Sequence, residues 1–526
     1  MSSEDRQALS AHYDVLIIGA GMGGSAAAFA LKECGLSVLV IERGPLFKQE
    51  ADNWDPEEVI AKRKYDPPEK WLDENDVPFT PRAYYTTGGS SKFFGGSSFR
   101  FRDRDFQSRS YPDGKTRAWP LSYEDFAPFY ERAEKAMWVH GLAGADPTEP
   151  PRGKYPFPPL EHEPDIKWLC RRLAEEGLSP FPLPIAVHQG PGGRCRKGSP
   201  CDGFPCKIRA KGDGENAFLR PALRQQAVTL VTGARVDRLL HDAAGQRITA
   251  AEVTLDGARH RVTAALFVLA AGAVNSAALL LRSASAAFPH GLANGSGQVG
   301  KNFMSHNNTV LLAVSPFRRN RTKFQKTFTV NDYYNERNPV ASYGLGNIQM
   351  RGKVLPENLQ AGTYGRLAAW FSRFVSRRSF DFWLMSEDLP SEENRVELAD
   401  NAQIRLVRRL NNVEPHRKLV RQFKKMLRKV GFPFIIERKM APSAIQHQVG
   451  TLVMGEDPAT SVVDRHCKAH QLENLYVCDG SVFPSSAAVN PALTIAANAL
   501  RVGTHLAERH QKPCGLSAKR SAEAKL

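Results

Sequence analysis

The sequence predicts an α/β chain that opens with a parallel strand–helix–strand unit and continues into mixed strands. Three observations carry this. Val15, Leu16, Ile17 and Ile18 are four aliphatics in a row ending at Gly19, the pattern of a short strand buried on both faces. Gly24 to Cys34 is an Ala-rich helix and Ser37 to Ile41 a second aliphatic strand, so strand, turn, helix and strand fit within about thirty residues, the spacing of a right-handed parallel crossover. Leu230 to Leu269 alternates as strands around the turn pair Asp256-Gly257.

The elements between these follow in order. Glu50 to Pro81 is rich in proline and charge, which predicts loops with short helices. Six prolines between Pro147 and Pro159 exclude helix and central strand there. Val262 to Leu281 is twenty residues without a charge, long enough to span a bilayer. However, Gly272, Asn275 and Ser276 interrupt it and its first part reads as strand, so no membrane span is expected. His416 to Val430 is a basic amphipathic helix with Leu419, Val420, Phe423, Met426, Leu427 and Val430 on one face. The tail after Lys512 is polar.

Composition sets the class. The 526 residues leave room for several domain-sized units, and 42% hydrophobic with 24% charged residues is the make-up of a globular chain, not a disordered or collagen-like one. Eight cysteines are too few for a disulfide scaffold, and no 20–50-residue repeat is present. Met1 to His12 is polar without an apolar export segment, so a cytoplasmic setting is expected. Cys195, Cys201 and Cys206 have spacings of six and five and no fourth ligand nearby, so they read as structural thiols or an occasional disulfide, and no metal is expected. The formal charge of +16 raises a nucleic-acid reading, but the basic runs at Arg318–Lys326, Arg405–Arg409, His416–Val430 and the tail carry no aromatic stacking platform. No nucleic-acid partner is expected. Trp370 to Phe374 with Arg377 and Arg378 is aromatic and basic; it reads as a packed helix, with peripheral lipid contact or the rim of a substrate entrance as the alternatives.

Gly19-Ala20-Gly21-Met22-Gly23-Gly24 fits G-x-G-x-x-G, and its context is the one that gives the pattern meaning: it follows a strand, opens a helix, and has Glu42 at the end of the next strand. Gly19 permits the tight turn, Gly21 lets the backbone approach a pyrophosphate, and Gly24 lets the helix pack closely on the strand. Glu42 would accept from ribose hydroxyls and repel a 2′-phosphate, which disfavours NADP. The motif alone does not separate FAD from NAD.

Further segments do. Gly88-Gly89-Ser90-Ser91, Leu269 to Ala273 with Asn275-Ser276, Gly297 to His306, His447-Gln448-Val449-Gly450-Thr451, and Asp479-Gly480-Ser481 followed by Asn490-Pro491 and Thr494 together resemble the glucose–methanol–choline (GMC) family of FAD-dependent alcohol oxidoreductases. Phe303 and Ser305 depart from its pattern. Cys201 to Cys206 and Asp146 to Pro150 are similar to a bacterial branch that includes sugar and aminoglycoside (paromamine-type) oxidases.

The resemblance implies a doubly wound FAD domain from 11–105, 213–310 and 441–510, interleaved with a substrate domain from 106–212 and 311–440 built on a large antiparallel sheet, and a polar tail at 511–526. It implies His447 as the base that takes a hydroxyl proton while hydride passes to the flavin, with Asn490 holding the substrate oxygen. It places Val236 against adenine, and Gly88, Gly89, Ser90, Ser91, Ala271, Gly272, Asp479, Gly480, Pro491 and Thr494 around the rest of the cofactor. Lys92, Phe93 and Phe94 stand where some relatives tether the flavin through histidine, so FAD is expected to be non-covalent. The expected partner is a small alcohol, sugar-like or polyol, with an apolar secondary alcohol such as a sterol as the alternative and a non-catalytic basic flavoprotein as the remote one. Oxygen, a quinone or a protein would take the electrons.

Overall fold

A computed structural model describes residues 3–198, 200–360, 368–439 and 445–510. Its first sheet is doubly wound. Val228–Thr232, Val38–Glu42, His12–Ile18 and Ala258–Leu269 lie side by side in that order and all parallel. Leu475–Val477 adds a further parallel pairing to the last third of Ala258–Leu269. The first part of that long strand instead pairs antiparallel with Ile248–Leu255, across a turn in which Asp256 (φ 50°) and Gly257 (φ 79°) both take the left-handed backbone a two-residue hairpin demands.

The aliphatic run Val15–Ile17 is wholly buried, as strands covered on both faces require. Ile18 pairs with both Ile41 and Leu269, so three strands end level and the loops leaving them, at Gly19, Arg43 and Ala270, emerge together. The uncharged stretch from Val262 therefore divides into the strand ending at Leu269 and the helix Ala273–Arg282. Among the described residues no helix is long and apolar enough to cross a membrane.

The second sheet has six strands, all antiparallel, in the order Phe434–Lys439, Asn307–Val314, Ser379–Ser386, Asn347–Met350, Phe328–Val330, Phe181–Pro182. Its rear face, with Leu311, Ile348, Phe382 and Leu384, packs on Leu419, Phe423 and Leu427 of the basic helix, which begins at Val413, three residues earlier than its apolar pattern suggests. The front face carries the alternate residues Asn347, Gln349, Trp383 and Arg438.

The 50–81 region forms short helical turns at Ala51–Trp54 and Glu57–Ala61. The aromatic-basic segment is the helix Ala369–Ser376: Val375 is buried, Phe371 and Phe374 pack beside it, and Trp370 is 72% exposed. Cys195, Cys201 and Cys206 are free thiols. The polar tail and its basic residues lie outside the described residues, as does the start of the 441–510 segment.

Candidate functional site

A cavity of about 460 Å³ extends from the Gly19–Gly24 loop to the front face of the antiparallel sheet. At the loop end the glycines divide into two kinds. A Cβ on Gly19, Gly23 or Gly24 would sit 2.5, 2.2 or 1.9 Å from a backbone oxygen, so these positions are closed by the protein itself. A Cβ on Gly21 would meet nothing within 4 Å. The helix Met22–Leu31 starts there with no side-chain cap and no acidic residue in its first turn. A helix N-terminus with open space in front of its N–H groups suits a pyrophosphate.

Glu42 lines the cavity, and its two oxygens accept from Ala20 N–H (2.9 Å) and Gly44 N–H (2.8 Å). It thus ties the glycine loop to the strand end while each oxygen keeps a second lone pair. Burial pushes its carboxyl up to about 7, against these hydrogen bonds. Asp479 is buried at the opposite wall, accepting from Gly272 N–H, the Ser276 hydroxyl and Ser481 N–H.

At the other end, Met304 and Val449 exchange backbone hydrogen bonds of 2.9 and 3.0 Å. Two residues outward along that antiparallel bridge, His306 and His447 meet, Nδ1 to Nδ1, at 2.9 Å. One of the two nitrogens must carry the proton, and the surroundings decide which. His306 Nε2 lies 3.3 Å from the Ser486 carbonyl, which only accepts, so the His306 proton sits on Nε2. Burial holds the His306 pKa down to about 4, so the ring is neutral and its Nδ1 is an acceptor. His447 therefore donates from Nδ1 and keeps a lone pair on Nε2. Burial first, then His306 and Lys326, hold the His447 pKa well below the usual histidine value, so this ring too is neutral. His447 stands at φ 57°, a left-handed backbone that residues with a Cβ adopt at some cost and that is concentrated at functional sites.

Asn490 Nδ2 donates to His447 Nε2 at 3.3 Å. Its orientation follows from a chain of amides anchored on a carboxylate. Asp146, ion-paired with Arg102, accepts from Asn331 Nδ2 at 2.9 Å. Asn331 Oδ1 accepts from Asn347 Nδ2 (2.7 Å), and Asn347 Oδ1 accepts from Gln349 Nε2 (3.2 Å). Gln349 Nε2 donates also to Asn490 Oδ1 (2.9 Å), while its Oε1 takes the Ser97 hydroxyl proton (2.6 Å). Each amide is fixed by the one before, leaving Asn490 N–H aimed at His447.

Most residues expected from the sequence meet in this one cavity. His447 and Asn490 line it with Gly19, Gly21 and Glu42; Gly89, Ser90, Ser91 and Val236 line it too, as do Ala271, Gly272, Asp479, Gly480 and Pro491. Three lie outside the wall. Gly24 packs the helix onto Gly19, Gly88 N–H donates to Ala20 O (2.7 Å), and Thr494 turns into the core, 2.9 Å from the Tyr130 hydroxyl. Thr494 is displaced by helix geometry: on the helix Ala492–His510 it is Ala492 and Ile495 that face the cavity, and Thr494 lies round the axis from them. Lys92 is buried against Asp213 and Glu215 rather than presented to the cavity.

Other residues of the site were not singled out from the sequence: Gln349, Asp202, Lys326, Arg351, Trp383 and Arg438 in the cavity wall, and His306, which is not in the wall but meets His447. His306 closes the Gly297–His306 stretch already noted. Asp202 belongs to the Cys201–Cys206 loop, which Lys211 Nζ fastens through the carbonyls of Phe94, Cys201 and Phe204, each at 2.7 Å. Asp202 accepts from Lys326 Nζ (2.9 Å) and Gly352 N–H (3.1 Å). Burial raises its carboxyl pKa, but Lys326 and Arg351 outweigh that and hold it well below the carboxylate range.

Residues 174–308 and 390–499 match family models described as GMC oxidoreductase, and residues 14–52 match an FAD binding domain. The chain is 32% identical to paromamine 6'-oxidase of Streptomyces fradiae over 95% of its own length and 92% of that protein's. It is 31% identical to 6'''-hydroxyparomomycin C oxidase of Streptomyces lividus, over 94% and 92%. Among solved structures, pyridoxine 4-oxidase from Mesorbium loti shares the fold, with a TM-score of 0.66 at 18% identity over 94% of this chain and 99% of that one.

Proposed function

The chain belongs to the GMC oxidoreductase family and is an FAD-dependent alcohol oxidoreductase; from that premise we propose that it oxidises a hydroxyl of a sugar-like polyol, with His447 as the base. The observation that carries the assignment is the His447 Nε2 lone pair, fixed in the cavity wall beside the Asn490 amide.

The residues present fit the cofactor. The Gly19–Gly24 loop and the helix behind it would hold the pyrophosphate, Glu42 the ribose, and Ala234 to Val236 the adenine. FAD, when bound, supplies the acceptor for the hydride. Lys92, engaged with two carboxylates, offers no tether, and non-covalent binding is the assignment. We assign 11–105, 213–310 and 441–510 to cofactor binding and 106–212 and 311–440 to substrate binding.

In this reading the substrate hydroxyl comes in beside the 3.3 Å Asn490 Nδ2–His447 Nε2 contact, takes over the Nε2 lone pair with its O–H and turns its oxygen to the Asn490 amide. His447 takes the O–H proton as the C–H bond gives up its hydride and the C=O bond forms. Asn490 N–H meets the negative charge that grows on oxygen, a role suited to a donor already locked in direction. Asp202, Lys326, Gln349, Arg351 and Arg438 make the substrate end polar, which supports a polyol over a sterol. Dioxygen, or a quinone or protein acceptor, then takes the electrons. Anaerobic loss of oxidised-flavin absorbance across polyols, amino sugars, sterols and aryl alcohols tests the reading: bleaching by polyols supports it, and bleaching by sterols alone contradicts it.

A further inference from the structure

Three strands of the antiparallel sheet end level where Val314 pairs with both Ser379 and Phe434. Each chain segment at this end carries an exposed aromatic. Phe317, three residues beyond Val314, is 94% exposed, and Phe434 is 61% exposed. Trp370, on the helix Ala369–Ser376 that leads into Ser379, is 72% exposed. Loop and helix are tied together: Asn320 N–H donates to the Arg377 carbonyl (2.9 Å) and Asn320 Nδ2 to that of Ser379 (2.8 Å). Ile436, two residues along the same face from Phe434, shares one apolar cluster with Phe371, Phe374 and Val375 of the helix. Trp383 belongs to that cluster and also lines the cavity of His447, so the aromatics adjoin the substrate end on one sheet face.

Cations accompany these rings. Arg319, Arg321, Lys323, Arg373 and Arg377 are exposed, and among the described residues none of them has an ion pair. The carboxylates that touch the loop are taken up in shaping it. Asp165 accepts from the Arg318 guanidinium (2.7 Å) and Arg321 N–H (2.9 Å), and Glu163 accepts from Lys323 and Phe324 N–H (3.0 and 2.9 Å). Glu437, on the edge strand, is paired with Lys424. Glu357, on the neighbouring helix Pro356–Gln360, sets one negative charge against the cluster. Exposed apolar groups gathered in one place mark an interaction surface. Nucleic acid binds rings spaced along a groove, whereas these stand on separate segments at one sheet end. Aromatic rings among guanidinium groups match the head-group region of an anionic bilayer, where the rings enter the interface and the cations meet lipid phosphates.

We infer that this end of the sheet is a docking surface for an anionic phospholipid bilayer, with Phe317, Trp370 and Phe434 entering the interface and Arg319, Arg321, Lys323, Arg373 and Arg377 meeting the head groups. The inference does not depend on which alcohol is oxidised. It accounts for the placement of part of the excess positive charge.

The test mixes the FAD-loaded enzyme with vesicles of phosphatidylcholine alone and of phosphatidylcholine with phosphatidylglycerol, and measures the fraction that sediments. Binding to the mixed vesicles is expected, with little to the neutral ones and a steep loss as salt rises. Arg319→Gln, Arg321→Gln and Arg377→Gln should each weaken it by about fivefold, the contribution of one cation at such a surface. Phe317→Ser and Trp370→Ser should weaken it too, with FAD content and turnover in free solution unchanged. Brominated acyl chains should quench the tryptophan fluorescence of the wild type but not of Trp370→Phe, which reads ring insertion directly. Failure to sediment with the mixed vesicles, or equal sedimentation with both kinds, overturns the inference. Binding that survives in every variant overturns the assignment of this surface. An oligonucleotide or a second copy of the chain bound through Phe317 and Trp370, without vesicle binding, also overturns it.

Discussion

His306 and His447 share one proton across a 2.9 Å Nδ1–Nδ1 contact, and the Ser486 carbonyl on the far side of His306 decides that it belongs to His447. His447 is thus prepared by its neighbour for the proposed role of base: with Nδ1 committed as a donor, its lone pair can only be on Nε2, facing Asn490.

Because burial keeps His447 neutral to well below the usual histidine pKa, the rate constant for flavin reduction stays level as pH falls from about 8 through about 6.5. It declines only at lower pH, where protonation removes the lone pair. A stopped-flow pH series at saturating substrate checks this; a drop centred near 6.5 would mean that the ring is solvated during turnover.

Gln349 lies next to Asn490 in the amide chain but does not touch His447. Gln349→Leu leaves Asn490 Oδ1 without its donor and frees the amide to rotate. Flavin reduction should slow by about tenfold, the scale of a lost orientation, with KM nearly unchanged. Full FAD content in the variant shows that the fold is intact. An unaltered reduction rate would mean that Asn490 is held by other contacts.

The two kinds of glycine in the loop separate cofactor binding from folding. Gly21→Ala adds a methyl into open space where the pyrophosphate is assigned, so the protein folds but retains FAD poorly. Gly24→Ala drives a methyl to 1.9 Å from Gly19 O, so it lowers Tm outright. Thermal melts with and without added FAD distinguish the two, and identical behaviour would contradict the division.

Glu42→Gln should weaken FAD retention while keeping one of its two backbone hydrogen bonds. Glu42→Ala should in addition destabilise the fold by about 1–3 kcal/mol, because the buried Ala20 and Gly44 N–H groups lose their acceptor. Equal Tm values for the two variants would show that those hydrogen bonds contribute little.

The cofactor end was legible in the sequence because its determinants are local. The aliphatic run to Gly19, the spaced glycines and Glu42 are fixed by contacts within one βαβ unit. The family resemblance added His447 and Asn490. What remained hidden depends on pairing between distant strands. His306 reaches His447 only through the Met304–Val449 bridge, and Gln349 reaches Asn490 only through the register of a sheet whose strands lie far apart in sequence. His306 stands in the Gly297–His306 motif, but nothing local pairs it with His447, and Gln349 carries no local pattern that marks it. Thr494 illustrates the converse: a motif position says nothing about which side of a helix it faces, and its side chain meets the Tyr130 hydroxyl rather than the cavity.

The claim that His447 is the base is tested most directly by anaerobic stopped-flow reduction of the His447→Ala holoenzyme. Full FAD occupancy is expected, with reduction slower by about 10²–10⁴, the usual contribution of a positioned general base. Reduction at the wild-type rate in a fully loaded His447→Ala enzyme would contradict it.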